Sequence, residues 1–163
     1  VELIVTNNTK AGVIDRFSGK KVAIRTFDPS SESDTVLQEL TQAADIVVLA
    51  GYLRMIPASW TRAFQGRMLN IHPALLPKFG GKGMYGKYVH QAVSEASETE
   101  TGITIHLVNE HYDEGAIVAQ FAVDVALGES PLSIEEKVRQ LELEYYGPTV
   151  ERWIENREVL PNV

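Results

Sequence analysis

The sequence predicts an α/β domain with a largely parallel sheet, and three features support this prediction. Short apolar runs alternate with segments of helical spacing through most of the chain, as in strands joined by helical crossovers. The strongest run, Asp45–Ala50, has the apolar character of a central parallel strand covered on both faces. Two alternating segments, Thr101–Val108 and Ala116–Val125, predict an antiparallel strand pair, and Pro131–Asn156 predicts a long C-terminal helix.

The remaining elements follow from shorter patterns. An apolar run that ends at two asparagines predicts the first strand, and Val36, Leu37 and Leu40 give helical spacing to the second helix. Pro57 suits the first position of a helix, whereas Pro148 should break or kink the last one. In full, these patterns predict the strands Val1–Thr6, Lys21–Phe27 and Arg67–Ile71 and the helices Thr9–Phe17, Asp34–Ala44, Pro57–Phe64 and Lys87–Ser97.

Length and composition indicate one ordinary soluble domain. The chain has 163 residues, of which 44% are hydrophobic and 23% charged. Its net charge of −7, from 15 basic and 22 acidic residues, argues against broad binding to nucleic acid or to membrane surfaces. No apolar run approaches the roughly 20 residues that span a bilayer, and no signal segment opens the chain. The absence of cysteine excludes thiol catalysis and is compatible with a reducing cytoplasm.

The run Asn70–Lys78 is the most informative part of the sequence. An apolar segment carries Asn70 and His72 two positions apart, and Pro73 and Pro77 then end it. Residues two apart in an extended segment point to the same face, so the amide and the imidazole should lie side by side at a strand end. Ligands of open α/β sheets bind just beyond the carboxyl ends of strands, which makes this run a candidate site.

Asp113, within His111–Gly115, completes a candidate catalytic trio with Asn70 and His72. An amide N–H beside an imidazolium can stabilise an oxyanion that develops at a carbonyl. A nearby carboxylate would raise the pKa of the imidazole toward neutrality and could accept a proton, directly or through water. If Asp113 approaches His72 in space, the trio could perform acyl transfer to an amine without an enzyme nucleophile.

Each of these residues also has a purely structural interpretation. A histidine before proline at a strand end can be a hydrogen-bonded structural residue, and Asp113 can be a turn aspartate that bonds its own backbone. His106 lies within a strand alternation, where a satisfied buried histidine is the default, and His90 and His111 suit surface or supporting positions. No set of His, Asp and Glu has metal-ligand spacing, so no metal is expected.

Three motifs together resemble the glycinamide ribonucleotide formyltransferases, enzymes of purine biosynthesis that transfer a formyl group from 10-formyltetrahydrofolate. The motifs are the runs Asn70–Pro77, Thr101–His106 and Asp113–Gly115, and Ala50–Ile56 also looks like the family's strand-end loop. The combination is specific, although no single motif is. The resemblance covers nearly the whole chain and implies one formyltransferase catalytic domain over residues 1–163, with a three-layer α/β/α fold of the Rossmann-like type.

The resemblance also implies roles for individual residues. Asn70 and His72 would polarise the formyl oxygen and stabilise the tetrahedral intermediate, while Asp113 would hold His72 protonated and receive the amine proton. Further matched positions are Arg54, Ile56, Val108, Asn109, Glu110 and Asp113 for the folate, and Gly51, Pro73 and Glu142 for the ribonucleotide. Glu144 competes with Glu142, because the spacing from Glu142 to Pro148 is one residue longer than in the family.

The N-terminus differs from the family pattern. The chain begins at Val1 with what resembles the family's second strand, so the first strand, a phosphate-binding loop and the first helix are expected to be missing from this sequence. Alternative readings are a methionyl-tRNA formyltransferase domain, a formyltetrahydrofolate deformylase, or a non-catalytic folate-binding fragment. The leading expectation is a cytoplasmic enzyme acting on a small molecule, glycinamide ribonucleotide, as a monomer or weak homodimer without nucleic-acid or membrane partners.

Overall fold

The computed structural model describes residues 1–157 and contains two compact units, Val1–Val47 and a second that begins at Val48. The last residues of the predicted domain, 158–163, lie outside the described residues. In chain order, the elements of the first unit are β1 (Leu3–Thr6), α1 (Gly12–Phe17), β2 (Ala23–Thr26) and α2 (Ser33–Ala43).

The first unit is a βαβα segment with a parallel strand pair. β1 and β2 pair in parallel, with Leu3 opposite Ala23, and the Phe27 N–H donates to the Thr6 carbonyl at 3.0 Å to extend the ladder. On α2, Val36 and Leu40 are buried, as their spacing of four residues on one helix face predicts. The predicted parallel pairing of this part of the chain is therefore confirmed.

The second unit is built on a four-stranded sheet with the order β3–β4–β5–β6. β4 pairs antiparallel with β5, and β5 pairs antiparallel with β6. β3 (Val47–Val48) lies where the first unit ends and the second begins. The other elements of the second unit are α3 (Ala58–Ala63), β4 (Met68–His72), α4 (Lys87–Glu95), β5 (Glu100–Leu107), β6 (Ile117–Asp124) and α5 (Pro131–Arg157).

The core of the second unit lies where α4 and α5 pack on the sheet. Its buried members are Ala74, Val89, Val93, Ile103, Val125, Ile134 and Val138. α5 begins with Pro131, whose missing N–H costs nothing at the first helical position, and the Ser130 hydroxyl accepts the Ser133 N–H at 3.3 Å. The hydrophobic effect on one helix face thus fixes α5 against the strands that carry the candidate site.

The predicted strand Asp45–Ala50 is wrong in its extent and burial. Only Val47–Val48 forms a strand, at the edge of the four-stranded sheet, and Val48 is 42% exposed. A strand extends only as far as a neighbouring strand bonds its backbone. Here the bonding to β4 reaches one residue past β3, where the Leu49 N–H donates to the Leu69 carbonyl at 2.8 Å. An apolar run shows which side chains are apolar, but it does not show how far a partner strand extends. The prediction therefore overestimated both the length and the burial of this strand.

The α/β class, the antiparallel C-terminal strand pair and the long last helix are confirmed. The strands form two sheets where one was expected, and the antiparallel part also includes β4. α5 continues through Pro148, so the predicted break does not occur. Proline removes one backbone hydrogen bond of a helix, and Thr149, buried directly after it, shows that packing continues past this point.

Candidate functional site

β4 positions the first two members of the trio. Met68 and Leu69 are fully buried and fix the strand in the core, and Asn70 and His72 follow on it before Pro73. Asn70 is half-buried, whereas His72 is only 3% exposed. In the antiparallel register, Asn70 lies opposite His106 of β5 and His72 lies opposite Thr104. The strand end thus presents an amide and an imidazole, as the sequence predicts.

Asp113 reaches this strand end from the loop between β5 and β6. Its Oδ2 lies 3.4 Å from His72 Nδ1 and its Oδ1 lies 3.7 Å from His106 Nε2. Oδ2 also accepts the Gly81 N–H at 2.9 Å. The backbone of Asp113 is left-handed, with φ of 57°, a conformation that aspartate tolerates better than most residues. The structure therefore brings the predicted trio together, although its members are distant in the sequence.

A close backbone approach supports the Asp113 loop. A Cβ on Gly115 would collide with the backbone carbonyl of Leu107, so only glycine fits there. At the end of the same strand, a register shift between Ile105 and His106 marks an irregularity in the β5–β6 ladder. Such irregularities are common next to active sites, where they re-aim a side chain. The loop is thus held close to β5 just where His106 enters the site.

His106 is a buried histidine with both ring nitrogens hydrogen-bonded, as expected, but its place beside Asn70 and Asp113 was not predicted. Its Nδ1 lies 2.9 Å from the Leu107 carbonyl and must carry the hydrogen, because a carbonyl oxygen can only accept. In the neutral ring, Nε2 is then an acceptor, and the Asn70 Nδ2 group donates to it at 3.2 Å. This bond assigns the orientation of the Asn70 amide and leaves its second N–H for another acceptor. The signal available in the sequence was that His106 ends the motif Thr101–His106, whose strand pairs with the strand of the Asn70–Pro77 motif.

His72 has an oxygen acceptor beside each of its ring nitrogens. Its Nε2–H donates to the Phe79 carbonyl at 2.7 Å, which directs Nδ1 toward Asp113. Burial lowers the pKa of His72 below its ordinary 6.5, and the charge of Asp113 and the bond to Phe79 offset only part of this effect. Asp113 does raise the pKa of His72, as expected, but the net shift is downward, so the expectation that His72 stays protonated is wrong. The desolvation of a ring with 3% exposure outweighs a single carboxylate.

The positions matched to the folate and the ribonucleotide lie on other segments. Val108 continues the β4–β5 ladder through its N–H to the Met68 carbonyl at 2.9 Å. The residues at the remaining positions differ in exposure: Gly51, Arg54, Asn109 and Glu110 are exposed, Pro73 is half-buried and Ile56 is 8% exposed. Glu110 pairs with Arg62 of α3 at 3.1 Å, and Asn109 Oδ1 accepts the His111 N–H at 2.9 Å. These contacts shape the loop that carries Asp113.

The structure distinguishes the two candidate glutamates of α5. Glu142 is half-buried, and burial raises its pKa, with Arg139 opposing and Glu135 adding to the shift. Glu144 is exposed and hydrogen-bonds to Tyr145. One helical turn after Glu142, the Tyr146 hydroxyl donates to the Leu49 carbonyl at 2.6 Å, which ties α5 to the end of β3. Glu142 therefore fits a ligand-binding position better than Glu144.

The described residues also bear on other classes of site. Among residues 1–157, no group of three or more His, Asp or Glu side chains is arranged to hold a metal ion. Within the same range, no helix has both the length and the apolar character to cross a bilayer. The described site itself consists of the Asn70 amide, the imidazoles of His72 and His106, and the Asp113 carboxylate.

Comparison with known proteins agrees with this chemistry. The family model described as formyl transferase matches residues 1–150. The chloroplastic phosphoribosylglycinamide formyltransferase of Arabidopsis thaliana is 41% identical over 170 residues, which cover 97% of this chain and 58% of that protein. The phosphoribosylglycinamide formyltransferase of Bacillus subtilis is 31% identical over 92% of this chain and 78% of its own. The chain thus spans little more than half of the plant relative.

The fold comparison gives the same result. The crystal structure of phosphoribosylglycinamide formyltransferase from Bacillus halodurans matches with a TM-score of 0.85 at 31% identity, over 94% of this chain and 80% of that one. The glycinamide ribonucleotide transformylase 1 from Geobacillus kaustophilus matches with a TM-score of 0.82 at 36% identity, over 94% and 82%. With the family model covering residues 1–150, the chain belongs to the formyl transferase family.

Proposed function

We propose that this chain carries the active site for transfer of the formyl group of 10-formyltetrahydrofolate to the amine of glycinamide ribonucleotide, a step of purine biosynthesis. The observation that carries the proposal is the convergence of Asn70, His72 and Asp113 at one strand end. The names of the similar proteins, which are phosphoribosylglycinamide formyltransferases, support this acceptor over a tRNA or water.

The reaction needs three things from the protein. The amine nitrogen attacks the formyl carbon, a C–N bond forms, and the carbonyl electron pair moves to oxygen. The bond from that carbon to N10 of the folate then breaks, N10 takes up a proton, and the amine nitrogen loses one. The site must therefore hold the two substrates together, stabilise an oxyanion, and receive and return a proton.

The side chains of the trio suit the last two tasks. The second N–H of Asn70, which is not used by His106, would donate to the oxyanion. The lowered pKa of His72 leaves its Nδ1 unprotonated near neutral pH, so the His72–Asp113 pair would receive the amine proton. The imidazolium that results would donate to Asp113 through Nδ1 and to the Phe79 carbonyl through Nε2, and its positive charge would lie close to the oxyanion. Neither step requires a covalent enzyme intermediate.

The two substrates would bind on either side of this strand end. The proposed folate side consists of Arg54, Ile56 and the loop Val108–Asp113, whose backbone groups would contact the ligand and whose Glu110 pairs with Arg62 of α3. Gly51, Pro73 and Glu142 are the proposed ribonucleotide side. The raised pKa and partial burial of Glu142 suit a carboxyl group that is satisfied by ligand hydroxyl or amine groups. The proposed location is the cytoplasm, and the proposed assembly is a monomer or weak homodimer.

The test is an acceptor comparison with the full natural polypeptide that contains this chain. Purified protein is given 10-formyltetrahydrofolate with glycinamide ribonucleotide, with methionyl-tRNA, or with no acceptor, and tetrahydrofolate, formylated product and formate are measured. The proposal expects formylated ribonucleotide only. Formate without acceptor, or formylated tRNA, would contradict the proposed acceptor.

A substitution tests the proposed site in the same assay. His72→Ala should reduce kcat by about 10²–10³, the range for loss of a positioned catalytic group. Leu127→Ala is the control, because this side chain is exposed in the connection between β6 and α5, outside the proposed site. Equal kcat for the two variants would refute the catalytic assignment of His72.

A further inference from the structure

Thr104 of β5 has an exceptional set of hydrogen bonds for a buried hydroxyl. It is 0% exposed and lies directly opposite His72 in the β4–β5 register. Its hydroxyl donates to the Ala74 carbonyl at 2.7 Å and accepts the Leu76 N–H at 3.0 Å and a Gln120 amide N–H at 2.9 Å. One donated and two accepted bonds use the full capacity of a hydroxyl group.

Gln120 of β6 completes this arrangement. Its Nε2 group also donates to the Leu76 carbonyl at 3.0 Å, so one amide bonds both Thr104 and the loop after β4. The backbone of that loop is therefore held at the Ala74 carbonyl, the Leu76 N–H and the Leu76 carbonyl. The three bonds fix the start of the loop to β5 and β6, the two strands on the far side of the sheet from β3.

The next residues of the loop hold the catalytic groups. Only Pro77 and Lys78 separate Leu76 from Phe79, whose carbonyl accepts His72 Nε2–H at 2.7 Å. Two residues further, the Gly81 N–H donates to Asp113 at 2.9 Å. Proline restricts the backbone between the two ends, so a displacement at Leu76 is transmitted to both contacts. The loop thus connects the Thr104 hydroxyl to the orientation of His72 and Asp113.

The same strand contains a natural comparison. Thr101 is also on β5 and is 2% exposed, but its hydroxyl has no hydrogen-bond partner among residues 1–157. A buried threonine on this strand therefore does not need a bonded hydroxyl for the strand to form. The complete bonding of Thr104 is a property of the loop after β4 rather than of β5 itself.

We propose that Thr104 is a positioning residue for formyl transfer, whose hydroxyl, with Gln120, fixes the loop that orients His72 and Asp113. This inference rests on the proposed function and extends it to residues outside the trio. Thr104 and Gln120 are not members of the trio, and their hydrogen bonds hold the loop after β4. Their effect is to keep the Phe79 carbonyl and the Gly81 N–H at hydrogen-bonding distance from His72 and Asp113. This positioning affects the rate, since misplacement of a catalytic group by about 1 Å can cost roughly 100-fold.

Three variants of the full natural polypeptide test this inference. Thr104→Val removes the hydroxyl at nearly constant volume, Thr104→Ser keeps it, and Thr101→Val makes the same valine substitution where the hydroxyl is unpartnered. The measurements are kcat and KM for both substrates, and hydrogen exchange of the Gly81 amide. Thr104→Val should lower kcat by roughly 10-fold to 100-fold with little change in either KM, and should accelerate Gly81 exchange at least about 10-fold.

The controls separate positioning from general stability. Thr104→Ser should restore most of kcat and of the Gly81 protection, and Thr101→Val should match the parent protein in both. If Thr104→Val does not fold, Gln120→Met carries the same test, because it removes both amide donors from a side chain at the surface. Equal kcat and equal Gly81 exchange in the two valine variants would overturn the inference. A parent protein without formyl transfer would instead overturn the proposed function, so the two failures are distinguishable.

Discussion

Asn70→Asp is the substitution that tests the proposed oxyanion donor most directly. It exchanges the amide NH₂ for a carboxylate oxygen at nearly constant shape, so the packing around β4 should persist. The variant loses both N–H groups of Asn70, the one that bonds His106 Nε2 at 3.2 Å and the one left for the substrate. It also places a negative charge where negative charge develops in the reaction.

The expected size of the effect on rate is larger than the expected effect on folding. Loss of one oriented oxyanion donor costs about 10²–10³ in kcat, or about 2.7–4 kcal/mol. Loss of the bond to His106 costs about 0.5–1.5 kcal/mol of stability, against a typical total of about 5–15 kcal/mol. The variant should therefore remain folded at 25 °C while kcat falls by at least about 100-fold.

The assay is single-turnover formyl transfer with both substrates saturating, together with a melting curve. Asn8→Asp is the matched control, because Asn8 is exposed and its Oδ1 already acts as an acceptor, for the Lys10 N–H at 2.9 Å. This control should leave kcat unchanged. If a folded Asn70→Asp protein keeps more than about a tenth of the parent kcat, Asn70 is not the oxyanion donor.

Three further predictions concern pH, substrate binding and stability. Burial lowers the pKa of His72 and of His90, so the unfolded chain binds protons first and the free energy of unfolding should decrease as pH falls below about 6.5. A melting temperature that stays constant between about pH 7 and about pH 5 would contradict this. Glu142→Gln should raise KM for the ribonucleotide about 10-fold without changing KM for the folate, and Glu144→Gln should change neither; equal effects in steady-state kinetics would refute the choice of Glu142. Gly115→Ala should lower the free energy of unfolding by about 2–4 kcal/mol in urea, because its Cβ meets a backbone carbonyl; a loss below about 1 kcal/mol would show that the loop can move aside.

Sequence patterns identified the strands and helices better than their connections. The alternation of Thr101–Val108 and the helical spacing of Val36 and Leu40 both report which side chains are buried, and both were confirmed. Pairing direction and strand length depend on backbone partners, which side-chain patterns do not encode. For this reason Asp45–Ala50 was predicted as a central strand and is instead a short edge strand.

The same distinction applies to the site. The trio could be predicted because its members are side chains in recognisable motifs, and the structure brings them together. The Phe79 carbonyl and the Gly81 N–H could not, since all residues have a carbonyl, all but proline have an N–H, and only the fold selects these two. The direction of the His72 pKa was also out of reach, because it depends on how completely the ring is buried.

The left-handed backbone of Asp113 restricts which residue can serve as the acid of this site. Among the residues that adopt a φ near 57° without much strain, glycine has no side chain, asparagine has no charge, and only aspartate brings a carboxylate. Glutamate has the same chemistry but is disfavoured by the backbone as well as by its length. In relatives or designed variants of this site, the position should therefore tolerate fewer residues than proton transfer alone would allow.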